Sequence, residues 1–318
     1  MSEDMIFPVS ETVLSNLERL SREESIISEQ RTLELYDVAF PMVKASLELL
    51  DEGLESYEML SVLSEGLSFG DYPLSDDTTP EYRLKVAKSL GALSRTDKAI
   101  FTELYAEGLA DFGRTLTERD FLPSSQGAET FTYVRNSFSD EAYDVFSQDF
   151  SDPKVKYSAS FKECAQAVSG GDVTYCLLPL EEKGGARLPT VSEIIFRNDF
   201  KINSVIPVFG PDGNADMKYA LVSRSFTVPE RRKDDDLYLE IRIGVGGDSA
   251  LAEVFGAVDY FGMSVYRVNT VTFDTEGEEE TYFSVVIKDG GSSFAPLLTY
   301  FTLFLRDFVP VGIYKNLE

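Results

Sequence analysis

Histidine is absent from the 318 residues, which removes the usual general base near neutral pH, the usual metal ligand and every Ser/His or Cys/His nucleophile pair. Acid–base or binding chemistry must then rest on carboxylates, Lys, Tyr or backbone dipoles. Two stretches concentrate such groups: Leu178-Pro-Leu-Glu-Glu-Lys183 with Gly184 and Gly185, and Met217-Lys-Tyr-Ala-Leu-Val-Ser-Arg224 downstream. Lys183, Arg187 and Lys218 could hold one anion, whereas the adjacent carboxylates of Glu181 and Glu182 oppose a dianion.

Other chemical signals give way to structural readings. Gly244-Val-Gly-Gly247 lies between a strand and a helix, but position 249 is Ser and no acidic ribose ligand stands where a dinucleotide fold requires it. Those glycines are better suited to a close backbone turn beneath the helix that follows. Asp234, Asp235 and Asp236 have neither the glycine turn nor the bidentate Glu of a calcium loop and read as a hydrated linker. Tyr133, Phe138, Tyr143 and Phe146 read as core. Cys164 and Cys176 are too few for a disulfide framework and lack metal-binding partners, so a reducing cytoplasm is the expected setting, with no metal and no cofactor.

The net charge of −26 matches phosphate backbones and anionic membranes poorly, which excludes nucleic acid and membrane as expected partners. No charged segment precedes an apolar one at Met1, and the most apolar stretch, residues 295–305, is 11 residues long. A membrane span needs about 20. Classical export is therefore not expected.

These groups must be positioned by three successive patterns. Residues 12–119 are rich in Leu, Glu, Ala and Lys, with Leu47, Leu50, Leu54, Tyr57, Leu60 and Leu63 at helical spacing. A break at residues 66–80 ends on Thr79-Pro80-Glu81, the signature of an N-cap with proline at the first helical position. Residues 1–120 carry 25 acidic and 11 basic side chains, a net of −14 that reads as solvated helix faces. Beyond the Pro/Ser/Gly stretch at 123–127, strands at 131–135, 155–158, 173–179 and 201–209 alternate with helices at 139–148, 160–169 and 189–197. That alternation predicts crossover units on a largely parallel sheet. After a charged linker at 230–236 the order becomes βαββαβ: strand 237–243, a helix capped by Asp248, strands 263–273 and 281–288 around the acidic turn 274–280, helix 293–307 and strand 309–314. In the first of these strands Leu237, Leu239, Ile241 and Ile243 share one face and Tyr238, Glu240 and Arg242 the other, as in a half-buried strand.

The middle region resembles the first lobe of prephenate dehydratase, the lyase that converts prephenate to phenylpyruvate. The resemblance is carried by Tyr133-Val-Arg-Asn-Ser-Phe-Ser-Asp-Glu-Ala-Tyr143, by Ser160-Phe-Lys-Glu-Cys-Ala-Gln-Ala-Val168 with Gly170 and Gly171, and by the 178–183 and 217–224 stretches. These stand where the family has its opening turn and "TFS" helix start, its next helix, Pro-Ile-Glu-Asn-Ser and Thr-Arg-Phe. The C-terminal pattern is similar to the ACT domain that follows in these enzymes, with Gly247, Ala250 and Leu251 near the family's Gly-Ala-Leu. The N-terminal helices occupy the place of the chorismate mutase domain of bifunctional relatives, although Arg19, Arg22, Arg31 and Lys44 do not match its spacing.

The resemblance implies an α+β multidomain chain: a helical domain (1–122), a single α/β lobe of the periplasmic-binding-protein-like type (128–229) and a ferredoxin-like ACT domain (237–318). It places dehydratase positions at Ser137, Ser139, Glu181, Glu182, Lys183, Met217, Lys218 and Tyr219, with Met217 and Lys218 where the family has its catalytic Thr and substrate-binding Arg. It places an amino-acid ligand at Gly246, Gly247, Ala250, Leu251 and Asn269. About 38 residues separate Pro179 from Met217, where the family carries a second lobe. The implied function is ligand binding or regulation linked to phenylalanine biosynthesis, without catalysis and as a homodimer. An active mutase/dehydratase and a protein-interaction scaffold are the alternatives.

Overall fold

A computed structural model describes residues 11–74, 78–122, 128–210, 215–225, 227–231, 235–245, 250–275, 278–305 and 308–315. The helical pattern becomes α1 (Glu11–Asp51), α2 (Ser56–Phe69), α3 (Pro80–Gly91) and α4 (Arg95–Asp111). Their ends follow local rules. Gly70 ends α2 in the left-handed conformation, and Thr79 caps α3 by accepting from Tyr82 N ahead of Pro80. Met42, Val43, Met59, Leu60, Leu63, Phe101 and Tyr105 form the core between these helices, and Leu303 joins it from the C-terminal region.

The remaining elements build one sheet. In chain order they are β1 (Thr130–Val134), α5 (Ser137–Phe146), β2 (Lys154–Ser158), α6 (Phe161–Ser169), β3 (Tyr175–Glu182), α7 (Pro189–Arg197), β4 (Lys201–Phe209) and β5 (Ala215–Ser223), then β6 (Leu237–Gly244), α8 (Ala250–Tyr260), β7 (Ser264–Thr275), β8 (Glu278–Lys288), α9 (Ala295–Phe304) and β9 (Phe308–Lys315). Nine strands lie in the order β2-β1-β3-β5-β4-β9-β6-β8-β7. The sheet is mixed rather than largely parallel: β1 runs parallel to β2 and β3, but β5 inserts antiparallel between β3 and β4. The expected helix at 139–148 starts two residues earlier, because the Asn136 side chain caps it. The hairpin of β7 and β8 extends into the segment read as an acidic turn, pairing Asp274 with Glu279 and Thr275 with Glu278.

β6 to β9 follow the βαββαβ order and lie antiparallel as β9-β6-β8-β7, the ferredoxin-like arrangement. The sheet continues from β4 into β9 through the parallel pair Ile202 and Gly312. Glycine is required at that joint, since a Cβ on Gly312 would stand 2.5 Å from the Ile202 carbonyl oxygen.

Helices cover both faces. On the front, α6 and α7 pack on Leu178, Leu180, Ala220 and Val222, and the same core runs on to Tyr238, Val271, Phe273, Val286 and Tyr314. On the back, α5 covers β3, β4 and β5, while α8 and α9 cover Leu239, Ile241, Ile243, Val285 and Ile313. The helical layer packs behind α8 and α9. Arg95 donates to the Ala252 carbonyl at 2.9 Å, Lys98 pairs with Glu253 at 2.9 Å, and Tyr260 donates to Glu103 at 3.0 Å. β6 is therefore buried on both faces, not half-buried: Tyr238 and Glu240 are 4% and 2% exposed. No helix among the described residues is long and apolar enough to cross a membrane.

Candidate functional site

The chain leaves β1 toward β2 on one side and returns through α6 to β3 on the other. The crevice at the C-terminal ends of β1 and β3 is thus a topological switch point, where open α/β sheets place their ligands. Ser137 and Ser139 enter it from the start of α5. Ser139 is committed to structure: its hydroxyl donates to the Val134 carbonyl at 2.8 Å and accepts from Asn136 N at 2.8 Å, while Asn136 Oδ1 accepts from Ser139 N at 3.0 Å. Ser137, on the first turn, is exposed. Beside them Tyr133 donates to Asp140 at 2.8 Å, Arg135 bonds the other Asp140 oxygen at 3.3 Å, and the Arg135 guanidinium stacks 5.0 Å from the Tyr157 ring. Burial, then the Asp140 carboxylate, pushes the Tyr133 phenol well above its ordinary range.

The second group comes from the end of β3 and the start of β5. Gly184 and Gly185, with φ of 92° and 82°, turn the chain back so that Arg187 bridges Glu181. Glu181 lies opposite Lys218 and Glu182 opposite Met217 across the β3–β5 pair. The turn sends its cations apart. Lys183 reaches outward to Asp216 at 2.8 Å, whereas Arg187 is driven into the front core. Tyr219 points to the back, buried against α5; burial raises its phenol pKa and a hydrogen bond with Asn136 opposes that rise.

Arg187 sits in a buried charge cluster that sequence reasoning missed. Its guanidinium bonds Glu240 at 2.7 Å and Tyr314 at 3.1 Å, and its Nε lies 3.2 Å from Glu181. Tyr314 donates to Glu240 at 2.8 Å, and Ser284 donates to the other Glu240 oxygen at 2.8 Å. Arg267 reaches Glu181 at 2.5 Å and Lys218 approaches it at 3.7 Å. Burial alone would lower the Arg187 pKa, but Glu240, Tyr314 and Glu181 hold it above its ordinary value; burial and then Glu240 push the Tyr314 phenol well up. The cavity these residues enclose is about 10 Å³, room for at most one water, so the cluster is a joint rather than a ligand pocket.

Glu181, Glu182, Met217 and Lys218 thus face one another across the β3–β5 pair with Lys183 next in the chain, and Ser137, Ser139 and Tyr219 lie near the neighbouring strand end. The residues expected to hold an amino acid are separated. Asn269 lies opposite Ser284 on β7 with its amide nitrogen buried, whereas Ala250 and Leu251 open α8 on the back. Gly246 and Gly247 lie outside the described residues, as does Asp248.

The sequence matches no family model and no curated protein. Among solved structures the chain is similar to GqqA, a novel type of quorum-quenching acylase, at 17% identity over 60% of this chain and 97% of that one, with a TM-score of 0.44. It is similar to prephenate dehydratase from Streptococcus mutans at 14% identity over 58% and 97% of the two chains, TM-score 0.44. It is also similar to prephenate dehydratase in complex with L-Phe from Arthrobacter aurescens, at 12% identity over 58% and 89%, TM-score 0.44. At such values function has to be argued from this chain's own residues.

Replacing Arg187 with Met should destabilise the protein by about 3–5 kcal/mol, because Glu181 and Glu240 lose their shared cation while staying buried. Denaturant unfolding checks this, and a loss under about 1 kcal/mol, the ordinary value of a surface pair, would show that the cluster is not the joint described.

Proposed function

We propose that this protein is a diverged relative of the prephenate dehydratases, with an ACT-like unit at 237–318, that binds a ligand in a regulatory role and does not carry out the dehydration. The observation that carries this reading is the fate of the cations. Lys183, Arg187 and Lys218, the groups that would receive a dicarboxylate, are each engaged with carboxylates of this chain. A substrate would have to displace Asp216 and break a buried network before meeting a positive charge. Met217, at the position of the family's hydroxyl, is a thioether that neither donates nor transfers a proton. Losing one positioned group of this kind costs on the order of 10²-fold or more in rate.

The ACT-like reading draws support from the β9-β6-β8-β7 order and from α8 and α9 on one face. A small amino acid is the ligand proposed for it, through Ala250 and Leu251 on one face or Asn269 on the other, with Gly246 and Gly247 outside the described residues. The homodimer proposed with it has one open route. The sheet face that would need covering is already covered by α7, whereas β7 is a twelve-residue edge strand with Tyr266 and Val268 exposed. Two copies would pair there.

Two measurements test these statements. Incubation with prephenate should give no ultraviolet phenylpyruvate signal above the uncatalysed rate, and a signal that disappears in Lys218→Ala would overturn the non-catalytic reading. Sedimentation at micromolar concentration should show a dimer that Val268→Lys dissociates; a wild-type monomer would remove the β7 pairing.

A further inference from the structure

A large concavity lies on the back of the sheet, between the helical layer and the C-terminal elements. It is a cleft of about 1200 Å³ walled by α2 and α3 on one side and by the end of α9 and the start of β9 on the other, with the first turn of α8 and Lys98 of α4 at its end. Ser64 ties the walls together, its hydroxyl donating to the Thr302 carbonyl at 2.6 Å. The aromatic rings of Tyr57, Phe69, Phe121, Phe304 and Phe308 line it. Among the described residues its charged lining is Glu65, Glu253 and Lys98, a net of −1.

That lining already holds one ammonium. Lys98 Nζ lies 2.9 Å from Glu253 and 5.7 Å from the centre of the Phe304 ring, and its side chain is only 12% exposed. Carboxylate on one side and ring face on the other is how proteins hold organic cations. Glu253 is already engaged: its Oε1 also accepts from the Tyr300 hydroxyl at 2.6 Å, and its Oε2 lies 3.9 Å from Arg95. Glu65 is not: it is exposed, and it forms no ion pair or side-chain hydrogen bond among the described residues. An anion entering the cleft would meet two carboxylates and find Lys98 taken, whereas a cation would meet Glu65 and the rings. The chain's net charge of −26 raises the local concentration of cations and lowers that of anions.

We propose that this cleft binds an apolar organic cation, a primary ammonium carrying an aryl or alkyl group, with the ammonium at Glu65 and the apolar group among the rings. The assignment rests on the ligand-binding reading above and names a site and a ligand class for it. It gives the helical layer a part in recognition, since Tyr57, Glu65 and Phe69 come from α2 and Phe304 and Phe308 from the C-terminal elements.

Thermal melting and calorimetry on the intact chain test it with three probes of similar size: phenethylamine, its carboxylate counterpart 3-phenylpropanoate, and L-phenylalanine. Phenethylamine should raise the melting temperature saturably and 3-phenylpropanoate should not. Glu65→Gln, an exposed substitution that leaves the fold intact, should weaken the amine roughly tenfold, equivalent to about 1.4 kcal/mol. Equal shifts from amine and carboxylate, or an amine affinity unchanged in Glu65→Gln, would overturn the assignment. A shift from L-phenylalanine without one from phenethylamine would leave the ligand-binding reading standing and remove the cation site. No shift from any probe would count against both.

Discussion

Two carboxylates and a guanidinium are buried between strands of one sheet, and such charges are tolerated only if each is paired and hydrogen-bonded. Glu181, Arg187 and Glu240 meet that condition with groups from five further places: Lys218 on β5, Arg267 on β7, Ser284 on β8, Tyr314 on β9 and the turn at Gly184 and Gly185 that aims Arg187 inward. The α/β strands and the βαββαβ strands each contribute charges, and two of the pairs cross between them, Arg187 with Glu240 and Arg267 with Glu181. The constraint fixes β3 relative to β6 and β9, and through the close approach at Gly312 it holds the two parts of the sheet in one register.

The same constraint determines what the switch-point crevice can do. A binding site for a dicarboxylate needs cations free to turn toward solvent, yet Arg187 faces the interior and Lys183 is held by Asp216. The positive end of α5 remains at the crevice, with Asn136 and Ser139 closing its own first turn. At this end of the sheet the charged groups are engaged with one another, and a large cleft lies on the opposite face, under α2 and α3.

Local signals were legible in the sequence. Thr79-Pro80 starts α3, the break at residues 66–80 separates it from α2, the alternation from Leu237 to Ile243 marks β6, and the βαββαβ order is as expected. What escaped was set by distant chain. Alternation along β6 reports one apolar face and leaves Glu240 looking solvated; α7, some fifty residues earlier, covers that face and Arg187 supplies the partner. The antiparallel course of β5 was hidden for a similar reason, since an apolar run carries no sign of strand direction. The one available signal for the charge cluster was Glu240 on β6, a strand flanked by two others, where a charge is retained only with a buried partner.

Residue-resolved hydrogen exchange under native conditions tests most directly whether the charge cluster makes one cooperative unit of the sheet. Amides of Leu177, Leu178 and Leu180 on β3 and of Leu239 to Ile243 on β6 should exchange through a common opening whose free energy equals that of global unfolding. Opening of β6 to β9 at a free energy several kcal/mol below that of β3 would contradict the account, because it would show that the C-terminal strands leave without the partners on which Glu181, Arg187 and Glu240 depend.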